Sequence, residues 1–355
     1  LKPQNVETLD RLFWQVSDPE SPLYGHFLTN EQIADLISLP EEDIQTVEDY
    51  LMKDNGQVCN VFVERSIHKD ILNVYTCAGQ AKLMFPNLQL AVYQNQSQRK
   101  VLRSAALTDI AHNLQLLGVP TDIHQYIAAI HEVTDVPMPI FHVGSNVNTT
   151  IPWSKSDREL TIKGMMDLFK VNYDGIDSSS MKVDDAQVRQ AVVEMDRAWF
   201  SAKDLAMFQK EYSVAQNPIR KMLGVTEEES TWISADYEAT LDIQTITSIA
   251  GTVETWDIVF TGDVSFLHIA ETLLKTEGLP KVISQSWIGY EDDMTESQVT
   301  ATSIGYMKLG LTGVSYFIPS GDTGPNMSAS CNSYDPQYPP TCPYITAVGG
   351  MKVND

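Results

Sequence analysis

The sequence predicts two units in series, an α+β region followed by an α/β region built on a parallel sheet. Three observations predict it. Helical periodicity gives way to short strand-like runs within residues 1–137. A stretch rich in Pro, Asn, Ser and Thr follows over 138–159, reading as an exposed linker. From residue 160 to 355, helix-like segments alternate with short apolar runs, the pattern of parallel βα units.

Each element has its own warrant. Val6, Leu9, Phe13 and Val16 recur at helical spacing, and turn residues from Ser17 to Gly25 end that helix. Thr29-Asn-Glu-Gln32 has the capping-box pattern and leads into Ile33, Leu36 and Ile37. A third helix over 41–51 carries Ile44, Val47 and Leu51 on one stripe and stops near Asn55-Gly56. The period then changes, predicting strands over 58–63, 71–75 and 88–93. In the second region the pattern predicts a helix over 199–212 and strands over 255–260, 281–286 and 314–319. Internal repeats and low-complexity tracts are absent from the sequence.

Composition narrows the function classes. The 355 residues are enough for two cores, and 43% of them are hydrophobic. A net charge of −23 repels a phosphate backbone, which argues against nucleic acid as a partner. No apolar run has the length of a membrane span, and the first residues lack a leader pattern, so a signal peptide removed beforehand is expected. The four cysteines fall as two local pairs, Cys59 with Cys77 and Cys331 with Cys342, at spacings unlike zinc or redox motifs. Hairpin pairing of the flanking strands brings the first pair within bridging distance. The second pair suits a local bond, with Cys331 alternatively pairing outside the chain. Sequons at Asn95, Asn148 and Asn326 join the cysteines in favouring the secretory pathway.

Three segments could carry chemistry. Glu238 and Asp242 are four apart in a helix-like run, so both carboxylates project from one face. Such a pair is usually a solvated acidic face; the sharper reading is a coupled base and its orienting partner. Asp322 stands in the turn Pro319-Ser-Gly-Asp-Thr-Gly324, at the C-terminal end of an apolar strand, where α/β proteins place active sites. The run Lys281 to Glu291 is a buried strand entering a Gly-containing loop.

Taken in order, E-x-x-x-D at 238–242, S-x-x-G-x-E at 286–291, S-G-D-x-G at 320–324 and C-P-Y-x-T-A-V-G-G at 342–350 resemble the sedolisin family of serine-carboxyl peptidases. Asn5-Val-Glu-Thr-Leu-Asp10, Val16 to Gly25 with Leu28-Thr29, and Trp199 to Phe208 are similar to family segments too. The resemblance implies a ferredoxin-like α+β propeptide over 1–137 that covers the active-site face of an incomplete subtilisin-like α/β domain. It implies an acid-acting peptidase, of peptide or protein substrates, that removes tripeptides from free N-termini in the lysosome or outside the cell. Glu238 would be the general base, Asp242 its partner and Asp322 the oxyanion-hole acid. A carboxylate base suits low pH, where a histidine base is already protonated. Asp322 donates to an oxyanion only while protonated. The family's S-G-T-S-A nucleophile motif is not among the 355 residues, so the serine, the rest of the catalytic domain and a calcium site are expected outside them. The alternative is a non-catalytic relative that binds peptides or a partner. An unrelated small-molecule hydrolase is poorly supported, because G-x-S-x-G, G-x-G-x-x-G and Walker A motifs are missing.

Overall fold

Apolar stripes and caps set the first helices. A computed structural model describes residues 1–53, 56, 58–94, 100–104, 114–131, 141–142, 162–171, 188–195, 198–224, 236–262, 264–321 and 336–350. Helix α1 (Val6–Ser17) buries Leu9, Phe13 and Val16. Helix α2 (Asn30–Ile37) starts at Thr29, whose Oγ1 accepts from the Gln32 amide at 3.3 Å while Gln32 Oε1 accepts from the Thr29 amide at 2.9 Å. Helix α3 (Glu41–Leu51) buries Ile44, Val47 and Leu51.

Strands β1 (Phe62–Arg65) and β2 (Leu72–Tyr75) form an antiparallel hairpin. β1 begins later than the apolar pattern predicts. Cys59 is disulfide-bonded to Cys77, and the Thr76 hydroxyl donates to the Asn60 carbonyl at 3.2 Å, which draws that stretch out of the ladder. After α4 (Ala78–Met84), β3 (Leu90–Gln94) pairs antiparallel with β4 (Lys100–Ser104). Among the described residues the first region is thus α+β, with two separate strand pairs rather than one four-stranded sheet.

Of the expected linker, only β5 (Phe141–His142) lies within the described residues. The second region continues with α5 (Ile162–Leu168), β6 (Arg189–Glu194), α6 (Ala202–Glu211), β7 (Lys221–Leu223), α7 (Tyr237–Ile249), β8 (Glu254–Val259) and α8 (Phe266–Lys275). Then come β9 (Val282–Gln285), β10 (Trp287–Tyr290), α9 (Glu296–Leu311), β11 (Ser315–Pro319), β12 (Gln337–Tyr338) and β13 (Thr346–Val348). Helix α6 starts inside its expected span because Ser201 Oγ caps it, accepting from the Asp204 amide at 3.2 Å. Six strands form one parallel sheet in the order β13-β11-β9-β6-β8-β7, the α/β layer that the alternation predicts. A second sheet, β12-β10-β5, is antiparallel and places β5 directly on β10.

Helices cover both faces of the parallel sheet. The Gln190 amide donates to the Ile246 carbonyl at 3.4 Å, so α7 lies on the face shared by Gln190, Val192 and Glu194. The Arg189 guanidinium, over the Trp256 ring on the other face, donates to the Gly278 carbonyl just after α8. The β7–α7–β8 connection therefore has the opposite hand to β8–α8–β9, a departure from the usual uniform handedness.

The first region docks on α8 and α9. Leu9, Phe13, Val16, Ile33 and Ile37 bury against Ile304, Met307 and Leu311 of α9. The opposite side of α9 sends Tyr306 and Leu309 into the main core, so this helix is apolar all round. Gly310 makes the close approach possible, since a Cβ there would stand 2.3 Å from the Phe13 ring. Lys308, 1% exposed, bridges the regions through Asp70 at 3.0 Å and Glu271 at 2.7 Å. The described contacts thus put the first region on the α8–α9 face. Among the described residues, β5 of the expected linker pairs with β10, the strand beside the carboxylates.

A buried cation stripped of its partners is costly. Replacing Lys308 with Ala leaves Asp70 and Glu271 buried and unmatched, with an expected loss of about 3–5 kcal/mol in urea unfolding. Replacing the trio together by Met, Leu and Met recovers most of that loss. Equal losses in both variants would contradict this account.

Candidate active site

Asp236 caps α7, its Oδ1 accepting from the Glu238 amide at 2.9 Å, and Glu238 in the first turn complements the unpaired amides there. Glu238 is buried and Asp242 half-buried on the helix face toward the sheet. Helix and strand keep step beneath them. One helical turn rises about 5.4 Å and two strand residues about 6.6 Å. With Ile246 beside Gln190, Asp242 and Glu238 lie one and two turns further toward the C-terminal ends of the strands, and of the two it is Asp242 whose charge acts more strongly on Glu194. Val192 is the register partner of Asp257 on β8, and Ser284 is its partner on β9. Ser286, two residues on, donates from Oγ to Asp242 Oδ2 at 2.6 Å.

The result is a face bearing four carboxylates, Glu194, Glu238, Asp242 and Asp257, at or near the C-terminal end of the sheet. Trp287 Nε1 donates to Glu194 Oε2 at 3.0 Å, while Glu194 Oε1 and both Asp257 oxygens have no hydrogen-bond partner among the described residues. Burial raises the Asp242 carboxyl to about 6, against the lowering pull of the Ser286 bond. Burial, then the charge of Asp242, raises Asp257 to about 7. Glu194 is pushed well above the usual range by burial and by Asp242, opposed by Trp287. Carboxyl groups so placed hold shared protons in acid, and one of them can accept a proton from an attacking hydroxyl.

The helix expected over Glu238 and Asp242 forms, and Glu194 and Asp257, not singled out by the sequence reading, lie on the same face. The signal for both was an acid inside an apolar run, Val192-Val193-Glu194-Met195 and Trp256-Asp257-Ile258. Asp322 lies outside the described residues. The chain approaches it through Ser320, whose amide donates to the Val348 carbonyl at 2.9 Å, and Gly321, whose φ of +87° suits glycine. Asn95, Asn148, Asn326 and Cys331 also lie outside the described residues. Cys342 is a free, buried thiol in this structure, so the expected second disulfide is not formed at its end. No group of three or more metal-binding side chains occurs among the described residues. Nor is any described helix long and apolar enough to cross a membrane.

Residues 1–136 match the family model of the pro-kumamolisin activation domain. The whole chain is similar to tripeptidyl-peptidase 1 of Homo sapiens, 25% identical over 379 residues, covering 100% of this chain and 61% of that protein. Tripeptidyl-peptidase 1 of Pongo abelii is 25% identical over 366 residues, covering 99% and 60%. The chain therefore spans about three fifths of the length of these relatives. Among solved structures, Pseudomonas sedolisin, a serine-carboxyl proteinase complexed with two molecules of pseudo-iodotyrostatin, aligns at a TM-score of 0.38 with 17% identity. That alignment covers 49% of this chain and 51% of sedolisin.

The raised carboxyls fix the sign of the pH dependence. Each binds its proton in the folded state above the pH at which the unfolded chain has lost it, so folding stability falls as pH rises. The fall begins near the ordinary aspartate value of about 3.9 and continues to about 6 for Asp242 and about 7 for Asp257. Glu194→Gln keeps an acceptor for Trp287 and removes one such proton. Its thermal midpoint is expected to fall less than that of the natural protein between about pH 5 and 8. Parallel curves would show that Glu194 is ionised throughout.

Proposed function

We propose that this chain, a sedolisin-family sequence, is the activation domain and N-terminal part of the catalytic domain of an acid-acting serine-carboxyl peptidase. The convergence of Glu238 and Asp242 with Ser286 and Glu194 carries the reading, because one buried carboxylate face is what a carboxylate base requires. Glu238 is the general base for a serine that stands on sequence outside these 355 residues. Asp242, held by the Ser286 hydroxyl, orients Glu238 and tunes its basicity. Asp322 donates its proton to the oxyanion of the tetrahedral intermediate. The proton taken by Glu238 passes to the leaving amine as the acyl-enzyme forms.

The substrate class is peptide or protein, and the action proposed is removal of tripeptides from free N-termini. Residues 1–137 serve as the activation domain and 138–159 as the linker to a subtilisin-like domain over 160–355. Strand β5, antiparallel on Trp287 and Ile288, supports this role. An extended chain added at that edge runs beside the carboxylates, as a bound peptide does in strand addition. The Cys59–Cys77 disulfide supports an oxidising location, secreted or lysosomal, and the sequons fit glycosylation there. Calcium, implied by the family resemblance, belongs with sequence outside this chain, and no step here runs through it.

The full-length protein, freed of its activation domain, is expected to release tripeptides with a maximum in acid. Glu238→Gln or Asp322→Asn lowers kcat by about two to four orders of magnitude. Full activity in either variant overturns the role given to that carboxylate, and no activity in the natural full-length protein supports a non-catalytic peptide-binding relative instead.

A further inference from the structure

Asp257 takes no part in the chemistry above, yet it is the least accommodated polar group on the site's face. It stands within β8 at 0% exposure, and neither carboxylate oxygen is hydrogen-bonded among the described residues. An ionised carboxylate in that setting has lost its hydration and gained nothing in return, so the fold accommodates the neutral acid. The register sets it beside Val192 on the face that α7 covers, within reach of the Asp242 charge. Among the described residues, the charged groups on this face are Glu194 from β6 and Glu238 and Asp242 from α7, all of one sign. The cations of the flanking strands turn away: Lys221 Nζ lies 3.9 Å and the Arg189 guanidinium 5.6 Å from the Trp256 ring, on the opposite face.

We propose that Asp257 is a positioning residue that sets the upper pH limit of the carboxylate site: neutral, it lets Asp242 carry the charge; ionised, it forces the two carboxylates apart. The step is a deprotonation in which the Asp257 O–H bond breaks, the proton goes to water and the electron pair stays on oxygen. Its value of about 7 lies above the value of about 6 for Asp242, so Asp242 ionises first and Asp257 meets an existing charge when its own turn comes. Below that range Asp257 is a silent acid. Above it, two adjacent buried anions face each other, and α7 can relieve them only by lifting from β6 and β8. Loss of the Glu238–Asp242 geometry is then built into the sheet rather than into the chemistry. The proposal rests on the peptidase reading for its consequence, but not for its protonation.

The test compares the natural full-length protein with Asp257→Asn, which is neutral at every pH, and Asp257→Val, an apolar replacement of similar size. Peptidase activity is measured across pH together with the thermal midpoint. In both variants the acid limb is expected to be unchanged, while the midpoint of the basic limb rises by about one pH unit. A basic limb superimposed on that of the natural protein in the variants that fold overturns the proposal. So does a loss of the same factor at every pH, the mark of a purely structural residue. Carboxyl resonances of protein carrying 13C-labelled aspartate give a readout that needs no activity. A resonance titrating near neutrality that disappears in Asp257→Asn sustains the proposal even if the peptidase reading fails. Its absence from the natural protein overturns the proposal.

Discussion

Four carboxylates share one face of a parallel sheet from which water is largely excluded, and they cannot all be charged together. Glu194 and Asp257 rise from the strands, and Glu238 and Asp242 descend from α7. Burial raises Glu194, Asp242 and Asp257, and the charge on Asp242 adds to the shift at the other two. Acid is therefore where this face is comfortable. The hydrogen bonds from Ser286 to Asp242 and from Trp287 to Glu194 each hold one carboxylate oxygen there. Stability, site geometry and proposed chemistry thus answer to one condition, the proton count of a buried cluster.

The docking of the first region obeys a different logic and occupies a different place. Helix α9 is sandwiched, with Ile304, Met307 and Leu311 facing α1 and α2, and Tyr306 and Leu309 facing the core. Within that apolar contact Lys308 meets one carboxylate from each region, Asp70 and Glu271. Burial raises Glu271, whereas at Asp70 burial is outweighed by the Lys308 charge and hydrogen bond together with His68 and Ser66, which lower that carboxyl. Acid that protonates the site's face leaves the Asp70–Lys308 pair intact well below the pH at which Glu271 neutralises. A buried pair of this kind adds little net stability over well-packed apolar side chains of similar size, although breaking it by removing one partner is costly. His68, buried beside it, is held down to about 4 mainly by burial and then by the Lys308 charge.

Much of the first region was legible because its signals are local. The α1 stripe, the capping box at Thr29 and the Cys59–Cys77 spacing each act within a few residues or one hairpin, and each forms as the sequence predicts. The parallel α/β layer was legible from alternation, and the α7 dyad from its i,i+4 spacing. By contrast, α9 has no one-sided stripe because both of its sides are buried, so periodicity does not mark it. Residues Glu194 and Asp257 look like defects in apolar strands when each strand is read alone.

The sequence by itself determined the class of layers, the first disulfide and the pairing of Glu238 with Asp242 on one helical turn, since these depend on short-range spacing. Tertiary structure decided which face of the sheet received α7, that the first region settled on α8 and α9, and that two further carboxylates rose beneath the dyad. Those outcomes depend on strand order and register. Val192 meets Asp257 only because β6 lies beside β8, 65 residues apart in the chain as Gln190 and Thr255 are. Burial, and with it the raised carboxyls, is a property of that assembled face and of no segment within it.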